Sequence, residues 1–453
     1  MATRKNELNY LEQAYKQEGN QLLVLYGRKN IGIEELVKTF CQDKKFFYFH
    51  ARQVSETEQR TMFGKEIEAN YNISILDYTY ETFFNRIRSG NASKLVLVID
   101  EFQRMVKNDP GFMSAILKLK SRKLYPGPVF ILFCSSSIAW VEQDMVQTLG
   151  TAAKKLNDVY KVKELKFVDM VQSFQEYTVS ECVRTYGIIG GIPGYMKRWD
   201  SMKDVRSNIC RHILSEEGFL YEEAQRFIKD ELRELTVYNT ILTAIASGKR
   251  KLNDLFQYTG YSRAKISVYL KNLMEFEVVE KVYSLETGGW ENTQKGLYQI
   301  KNTYINFWFK FIFPHLSDLH MQKPEEFYTR YIEKELEDYL NRYFRQVCVE
   351  YLELRSLVNR LPIKIHKTAT WIGKQGSIDI VAQNSVRENI VALCNWSEDR
   401  MAYEMYEKLL KSMGKAKIKA NYYYFFSAKA FDEKLIELSK TDDKIVLIDM
   451  NRM

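Results

Sequence analysis

The stretch Leu23–Phe40, LVLYGRKNIGIEELVKTF, limits the possible folds of this chain more than any other. An apolar run leads into a turn bounded by Gly27 and Gly32, and an amphipathic helical pattern follows. Comparable short apolar runs, with helical patterns between them, predict strands at Gln21–Tyr26, Lys45–His50, Leu95–Ile99 and Val129–Cys134. Strands that alternate with helices predict a parallel sheet with helices on both faces. We therefore expect an α/β domain that ends near residue 165.

The turn has the spacing of a phosphate-binding loop, G-x-x-x-x-G-K-[ST], but two functional residues are replaced. Ile33 and Glu34 stand where the lysine and the hydroxyl residue belong. The lysine reaches the β- and γ-phosphates and the hydroxyl binds Mg²⁺, so neither replacement supplies the same chemistry. A carboxylate about 4 Å from a phosphate costs roughly 4 kcal/mol at an effective dielectric constant of 20. The candidate nucleotide-binding residues of the loop are Gly27, Arg28, Lys29, Asn30, Ile31, Gly32, Ile33 and Glu34.

Two further groups follow predicted strands of the same domain. Asp100 and Glu101 end the run KLVLVIDE, and in nucleoside triphosphatases such a pair holds Mg²⁺ and polarises the attacking water. A magnesium ion shared by Asp100 and Glu34 would also reduce the repulsion between Glu34 and a nucleotide. The alternative is two solvated acids after a buried strand. Ser135 and Ser136 end the run VFILFCSS, where their hydroxyls either face a γ-phosphate or belong to an ordinary turn.

The rest of the chain divides into three predicted regions. Residues 166–235 have helical patterns and form a predicted lid. Residues 236–320 contain a predicted winged helix followed by a linker. The elements of this winged helix come in the order helix, turn, helix, strand, polar hairpin and strand. The second of these helices carries Arg263, Lys265 and Lys271, with Lys281 and Lys295 in the wing. These residues suit DNA contact, or else the helix contacts protein and its charges are solvated. Residues 321–453 predict another α/β domain, with strands near 362–366, 378–383, 389–395, 420–426 and 445–449.

Seven segments, in the right order, are similar to motifs of one family. They are RKNELNYLEQAY, VLYGRKNIG, LVLVIDEFQRM, FCSSSIAWVE, YGIIGGIPGYM, the winged-helix segments and YINFWFKFIFP. The chain resembles the archaeal and bacterial ATPases of the P-loop, AAA-like and STAND-related group, whose C-terminal domain looks like a degenerate PD-(D/E)XK nuclease. The resemblance implies ATP and Mg²⁺ as ligands, with Asp100 and Glu101 as catalytic residues, and the same order of domains along the chain.

The chain departs from this family at two sites. The loop lysine and threonine of the family are Ile33 and Glu34 here. In the C-terminal domain Asp379 is kept, whereas the family's Glu and Lys fall at Leu393 and Asn395. One remaining carboxylate is a poor Mg²⁺ site, because this ion needs several oxygen ligands. We therefore expect an inactive nuclease-like domain.

Two lost sites favour a pseudo-ATPase or weak ATP binder that acts as a regulatory or assembly scaffold. One alternative is an active Mg²⁺-dependent ATPase that uses Asp100 and Glu101, with Lys29 standing in for the missing lysine. The other is a DNA-binding protein that acts through its winged helix. A protein partner or a second copy of the chain is expected, and DNA is a possible partner.

Charge and cysteine content add limits to these hypotheses. The formal net charge is +8 for 453 residues, which permits contact with nucleic acid but does not require it. None of the six cysteines has C-x-x-C spacing, so the sequence predicts neither a zinc site nor a disulfide framework. The N-terminal sequence lacks the apolar core of a signal peptide, and no apolar run is long enough to span a membrane. These features lead us to expect a cytoplasmic protein without a membrane partner.

Overall fold

The computed structural model describes residues 4–87, 94–121, 127–285, 296–374 and 376–452. The chain forms two compact units. The first consists of Ala2–Glu164 together with Ile192–Gly194, and the second of Leu165–Gly191 together with Tyr195–Met453. The finer division into four domains with boundaries at residues 165, 235 and 320 stays a prediction.

A five-stranded parallel sheet forms the centre of the first unit, in the order β2-β3-β4-β1-β5. Its strands are β1 (Gln21–Tyr26), β2 (Phe46–His50), β3 (Leu95–Asp100), β4 (Val129–Ser135) and β5 (Asp158–Lys161). This confirms the predicted α/β fold, and the sheet is typical of P-loop nucleoside triphosphatases. β5 was missed because its four residues, DVYK, are too few and too polar to stand out.

Helices cover both faces of this sheet, because alternate residues of each strand point to opposite sides. Leu22 and Val24 of β1 belong to one apolar cluster, whereas Leu23 and Leu25 belong to a second. The helices of this unit are α1 (Lys5–Lys16), α2 (Ile33–Cys41), α3 (Glu56–Tyr71), α4 (Tyr80–Arg86), α5 (Gln103–Asn108), α6 (Pro110–Ser121) and α7 (Met145–Leu149). The sheet is therefore buried on both sides, and its exposed chemistry lies at the carboxyl ends of the strands.

The second unit begins with helices. They are α8 (Phe167–Ser173), α9 (Val179–Ile189), α10 (Pro193–Met196, whose first two residues belong to the first unit), α11 (Val205–Ile209), α12 (Glu223–Glu231), α13 (Leu235–Ala246), α14 (Leu252–Thr259) and α15 (Arg263–Glu275). Antiparallel strands β6 (Val279–Val282) and β7 (Leu297–Ile300) follow. This is the element order expected of a winged helix, which stays a prediction. Lys295, which was predicted to lie in the wing, falls outside the described residues.

The C-terminal part of this unit contains a long helix followed by a mixed sheet. The helices are α16 (Thr303–Phe307), α17 (Leu316–Met321), α18 (Pro324–Tyr331), α19 (Leu336–Leu357), α20 (Tyr403–Ala416) and α21 (Glu433–Thr441). The strands are β8 (Lys367–Gly373), β9 (Gly376–Gln383), β10 (Asn389–Asn395), β11 (Arg400–Met401), β12 (Tyr422–Ser427), β13 (Ala430–Phe431) and β14 (Ile445–Asp449). The sheet order is β14-β12-β10-β9-β8, and only β9 runs opposite to the other strands.

The prediction of a strand near residues 362–366 was wrong. Pro362 has no N–H to donate to a sheet, and the Ile365 amide donates instead to Ser356 Oγ at 2.9 Å. Strand pairing with β9 begins at Lys367, next to a bond from the His366 amide to the Gln383 carbonyl at 2.8 Å. Across the described ranges, no helix has both the length and the apolar character needed to cross a membrane. All six cysteines are free, and five of them are buried.

Candidate functional site

The turn after β1 needs both of its glycines. The Gly27 amide donates to the Ser135 carbonyl at 3.1 Å, and a Cβ at Gly27 would lie 2.7 Å from the Val162 carbonyl oxygen. Gly32 has a φ of 89° and directly precedes α2. Asn30 also lies in the left-handed region, with a φ of 64°. The predicted strand–turn–helix is therefore present, and its backbone follows a path that only glycine allows at Gly27.

Two residues that the sequence analysis did not single out hold this turn. The Arg4 side chain is only 8% exposed, and its guanidinium donates to the Ile31 carbonyl at 2.5 Å and the Lys163 carbonyl at 3.0 Å. The Gly194 amide donates to the Asn30 carbonyl at 2.9 Å. Both residues belong to segments that carried the family resemblance, RKNELNYLEQAY and YGIIGGIPGYM. Those motifs were the available signal, because neither contact is local in sequence.

The two replaced residues of the loop have structural partners of their own. Ile33 is half-buried and packs against the apolar cluster that includes Leu23 and Leu25. The Glu34 side chain is 62% exposed and accepts a hydrogen bond from Lys38 Nζ at 2.6 Å, one helical turn later. Ile33 thus contributes to the core of the unit, and Glu34 forms a surface ion pair along α2. Arg28, another charged residue of the loop, forms an ion pair with Glu164 at 2.7 Å.

The carboxylate of Asp100 is engaged by three donors of its own unit. Its Oδ2 accepts hydrogen bonds from the Tyr48 hydroxyl and from His50 Nδ1, both at 2.7 Å, and its Oδ1 accepts from the Glu101 amide at 3.0 Å. Burial, together with the bond to Asp100, raises the pKa of Tyr48, so this hydroxyl stays a donor. Tyr48 and His50 were missed. Tyr48 and His50 lie two residues apart on β2. This strand runs parallel to β3, and His50 lies opposite Asp100.

Glu101 and the serines mainly shape their own turns. Glu101 is buried at a φ of 53°, an uncommon conformation for a residue with a side chain, and its Oε2 accepts from Gln103 Nε2 at 2.5 Å. Ser135 Oγ accepts the Ser137 amide at 3.2 Å, and Ser136 is half-buried beside it. In the described part of the chain, no group of three or more His, Cys, Asp or Glu side chains could hold a metal ion. A metal shared by Asp100 and Glu34 stays a prediction.

An arginine lies beside Asp379, the one carboxylate of the nuclease motif that the chain keeps. Asp379 lies where β9 carries one residue more than β8, and such bulges re-aim side chains. Its Oδ1 lies 3.0 Å from Arg345 of α19, and its Oδ2 accepts the Cys394 amide at 3.0 Å. Leu393 packs with the apolar cluster next to α20. Asn395 is buried, and its side chain bonds the backbone of Glu398, at 3.1 Å to the carbonyl and 3.2 Å to the amide.

The basic residues of α15 are exposed, and two of them lie over aromatic rings. Arg263 donates to Asn253 Oδ1 at 2.6 Å and lies over the Phe256 ring at 4.6 Å. Lys265 lies 4.9 Å from the centre of the Tyr261 ring. Lys271 pairs with Glu275 at 3.7 Å. The side chains of Phe256, Tyr258 and Val268 are also exposed on α14 and α15. This surface therefore combines positive charge with unburied apolar groups.

Two family models match parts of the chain. Residues 1–198 match a family described as an ATPase domain predominantly from Archaea. Residues 308–424 match a family of archaeal and bacterial proteins of unknown function. The first match contains the loop, Asp100, Glu101 and both serines, together with the Arg4 and Gly194 contacts. The second contains all of α19 and strands β8 to β11.

Relatives extend this similarity over most of the chain. The uncharacterised protein MJECL04 of Methanocaldococcus jannaschii is 26% identical over 418 residues, which is 90% of each chain. The uncharacterised ATP-binding protein MJ0423 of the same organism is 40% identical over 42 residues, or 9% of this chain and 71% of the relative.

Solved structures are less similar. The Walker-type ATPase PABY2304 of Pyrococcus abyssi has 16% identity and a TM-score of 0.48, over 68% of this chain and 96% of its own. The ORC2 protein of Aeropyrum pernix has 11% identity and a TM-score of 0.45, over 71% and 94%. At these scores the likeness is too weak to extend what the family models establish.

Proposed function

We propose that this chain, whose residues 1–198 match a family described as an ATPase domain predominantly from Archaea, keeps the fold of that family but hydrolyses ATP weakly or not at all. It acts instead as a regulatory or assembly scaffold, for another protein or for a second copy of itself. The observation that carries this proposal is the position of Ile33. Where the phosphate-binding loop requires a lysine, the side chain packs against the apolar cluster.

The surroundings of the loop support weak binding of a nucleotide. A triphosphate would meet the backbone N–H groups of the turn and the positive end of α2, which favour an anion. It would also meet Glu34, whose charge is only partly offset by Lys38 because both side chains are mostly exposed. A repulsion of a few kcal/mol corresponds to two or three decades in affinity. We therefore expect ATP to bind at or above about millimolar concentration.

The acidic residues would need to reorganise before they could act on a nucleotide. When bound, Mg²⁺ would neutralise phosphate charge, and we expect Asp100 to be the carboxylate that approaches it. Asp100 already accepts hydrogen bonds from Tyr48 and His50. Glu101 is held by Gln103. These bonds orient both carboxylates within the unit, and breaking them adds to the cost of forming a hydrolytic site.

Calorimetric titration of ATP, with and without Mg²⁺, tests the proposal. The natural chain and the Glu35→Thr control should give no heat of binding below about millimolar ATP, because neither contains the loop lysine. The double variant Ile33→Lys with Glu34→Thr should bind in the micromolar range and depend on Mg²⁺, since it regains the lysine and the hydroxyl. Micromolar binding and hydrolysis by the natural chain, abolished by Asp100→Asn, would refute a pseudo-ATPase.

Nucleic-acid binding through α15 is a second candidate function. It is favoured by the exposure of Arg263, Lys265 and Lys271 beside unburied aromatic groups, a combination that can contact phosphates and bases. Arg263→Gln with Lys265→Gln should weaken binding of a labelled DNA duplex and lower the slope of log K against log salt by about 1.8, for two lost phosphate contacts. Equal binding by this variant and by an Arg355→Gln control would exclude α15 as the contact surface.

A further inference from the structure

Three arginines form a cluster in the second unit, which we call the arginine cluster: Arg250, Arg342 and Arg345. Arg250 lies in the turn between α13 and α14, whereas Arg342 and Arg345 lie on α19. Because these two are three residues apart, they are neighbours on one face of the helix. The cluster thus joins elements separated by almost a hundred residues of sequence, and it is distinct from the basic face of α15.

Hydrogen bonds and an ion pair connect Arg250 with Arg342, and Arg345 forms a separate ion pair. Arg250 donates to Gln299 Oε1 at 2.6 Å, and the Gln299 amide donates to Glu280 Oε1 at 2.6 Å. The same Glu280 oxygen lies 3.5 Å from Arg342. Arg345 pairs with Asp379 at 3.0 Å. Gln299 and Glu280 stand opposite each other on β7 and β6, so the hairpin holds Arg250 in a fixed relation to α19.

The cluster has more positive charge and more donors than its described neighbours satisfy. Three guanidinium groups face two carboxylates, Glu280 and Asp379. They carry about fifteen N–H donors, and the Nε of Arg345 is buried without a hydrogen-bond partner among the described residues. Burial lowers the pKa of Arg250, and repulsion from Arg342 and Arg345 lowers it further. Arg342 and Arg345 keep 30% and 40% of their side chains exposed, so a ligand from solvent can reach them.

We propose that the arginine cluster is a binding site for the phosphodiester backbone of a nucleic acid. A phosphate group supplies negative charge and several acceptor oxygens, which match the planar donor arrays of arginine. These groups are poorly suited to a metal-dependent nuclease, because one carboxylate oxygen of Asp379 already pairs with Arg345. The site binds the backbone and leaves it uncut.

A polymer fits the arrangement better than a free phosphate ion, and this choice rests on the second proposed function. Glu280, which links Arg342 to the hairpin, follows the last residue of α15 by only five positions. A nucleic acid strand has many phosphates and can contact the basic face of α15 and the arginine cluster together, whereas a single phosphate can occupy only one of them. Each phosphate neutralised adds to the salt dependence of binding.

Fluorescence anisotropy of a labelled single-stranded DNA, titrated with the full chain at several salt concentrations, tests the site. Arg342→Gln should lower the slope of log K against log salt by about 0.7, and Arg342→Gln with Arg345→Gln by about 1.4, one and two phosphate contacts of a single strand. Arg355→Gln, on the same helix over the Tyr351 ring, is the matched control and should bind like the natural chain. If the loss of Arg345 beside Asp379 prevents folding, the single variant Arg342→Gln still tests the site.

The outcomes separate this site from the α15 surface. Weaker binding by both the cluster variants and Arg263→Gln with Lys265→Gln is the expected result, whereas weaker binding by the cluster variants alone supports the cluster and removes α15. The reverse pattern overturns the cluster and leaves the second proposed function standing. Equal binding by the cluster variants and Arg355→Gln also overturns it, as does an absence of any DNA binding by the natural chain. Calorimetric binding of inorganic phosphate to the cluster, without an effect of the variants on DNA, contradicts the choice of a polymer.

Discussion

At the scale of single residues, the chemistry of this protein depends on which partner each charged group has. Asp100 was predicted because an acidic residue after an apolar run is visible in sequence. Its donors Tyr48 and His50 come from a neighbouring strand, about fifty residues away, and could be found only after the strand order was known. The pairing of Arg345 with Asp379 was not predicted, because it depends on the packing of α19 on the sheet.

Glu350 provides a pH-dependent prediction at this scale. Its carboxylate accepts hydrogen bonds from the Phe167 amide at 2.7 Å and the Tyr186 hydroxyl at 2.8 Å, yet burial raises its pKa above the ordinary value of 4.5. The folded state therefore holds this proton more tightly than the unfolded state does. The stabilisation from Glu350 is greatest below the unfolded pKa and is lost as the pH rises through the folded pKa.

Urea unfolding at pH values from 4 to 7 measures this contribution. Glu350→Gln, which cannot ionise, should show a smaller fall in the free energy of unfolding between about pH 4.5 and 7 than the natural chain does. Glu353→Gln, one turn later on α19 and 41% exposed, should keep the slope of the natural chain. An unchanged slope in Glu350→Gln would show that this carboxyl titrates alike in the folded and unfolded states.

At the scale of elements, local rules predicted regular segments well and boundaries less well. The strands of the first sheet were found because they are apolar runs bounded by turns, whereas the polar edge strand β5 was not. Residues 362–366 have the composition of a strand, but Pro362 and the bond from Ile365 to Ser356 keep them out of the sheet. Composition describes what a segment can form, and hydrogen bonds to distant residues decide what it does form.

Two glycines of the second unit give opposite predictions for the change to alanine. Gly260 ends α14 at a φ of 71° in open space, so Gly260→Ala should lower the free energy of unfolding by about 1 kcal/mol through backbone strain. Gly414 lies inside α20, also in open space, so Gly414→Ala should raise it by up to about 1 kcal/mol. Both values come from the urea transition of this unit. Changes of the same sign at the two positions would contradict an explanation by backbone conformation.

At the scale of the whole molecule, the order of elements along the chain was predictable but the composition of the compact units was not. The alternation of strands and helices indicated the first α/β fold, and the ordered motifs indicated the helices and the second sheet that come after it. Nothing in hydrophobic periodicity shows that Ile192–Gly194 belongs with a unit whose main segment ends at Glu164. That membership depends on long-range contacts such as the bond from the Gly194 amide to the Asn30 carbonyl.

This bond has a consequence during protein synthesis. Ribosomes add roughly 5–20 residues per second, so the thirty residues between Glu164 and Gly194 delay the last support of the loop by about 1.5–6 s. During that interval the residues of all five strands of the first sheet have been synthesised, whereas the Gly194 amide that donates to the Asn30 carbonyl has not. The turn after β1 therefore reaches its final form only after Ile192–Gly194 has been synthesised. This is later than the synthesis of the sheet that carries the turn.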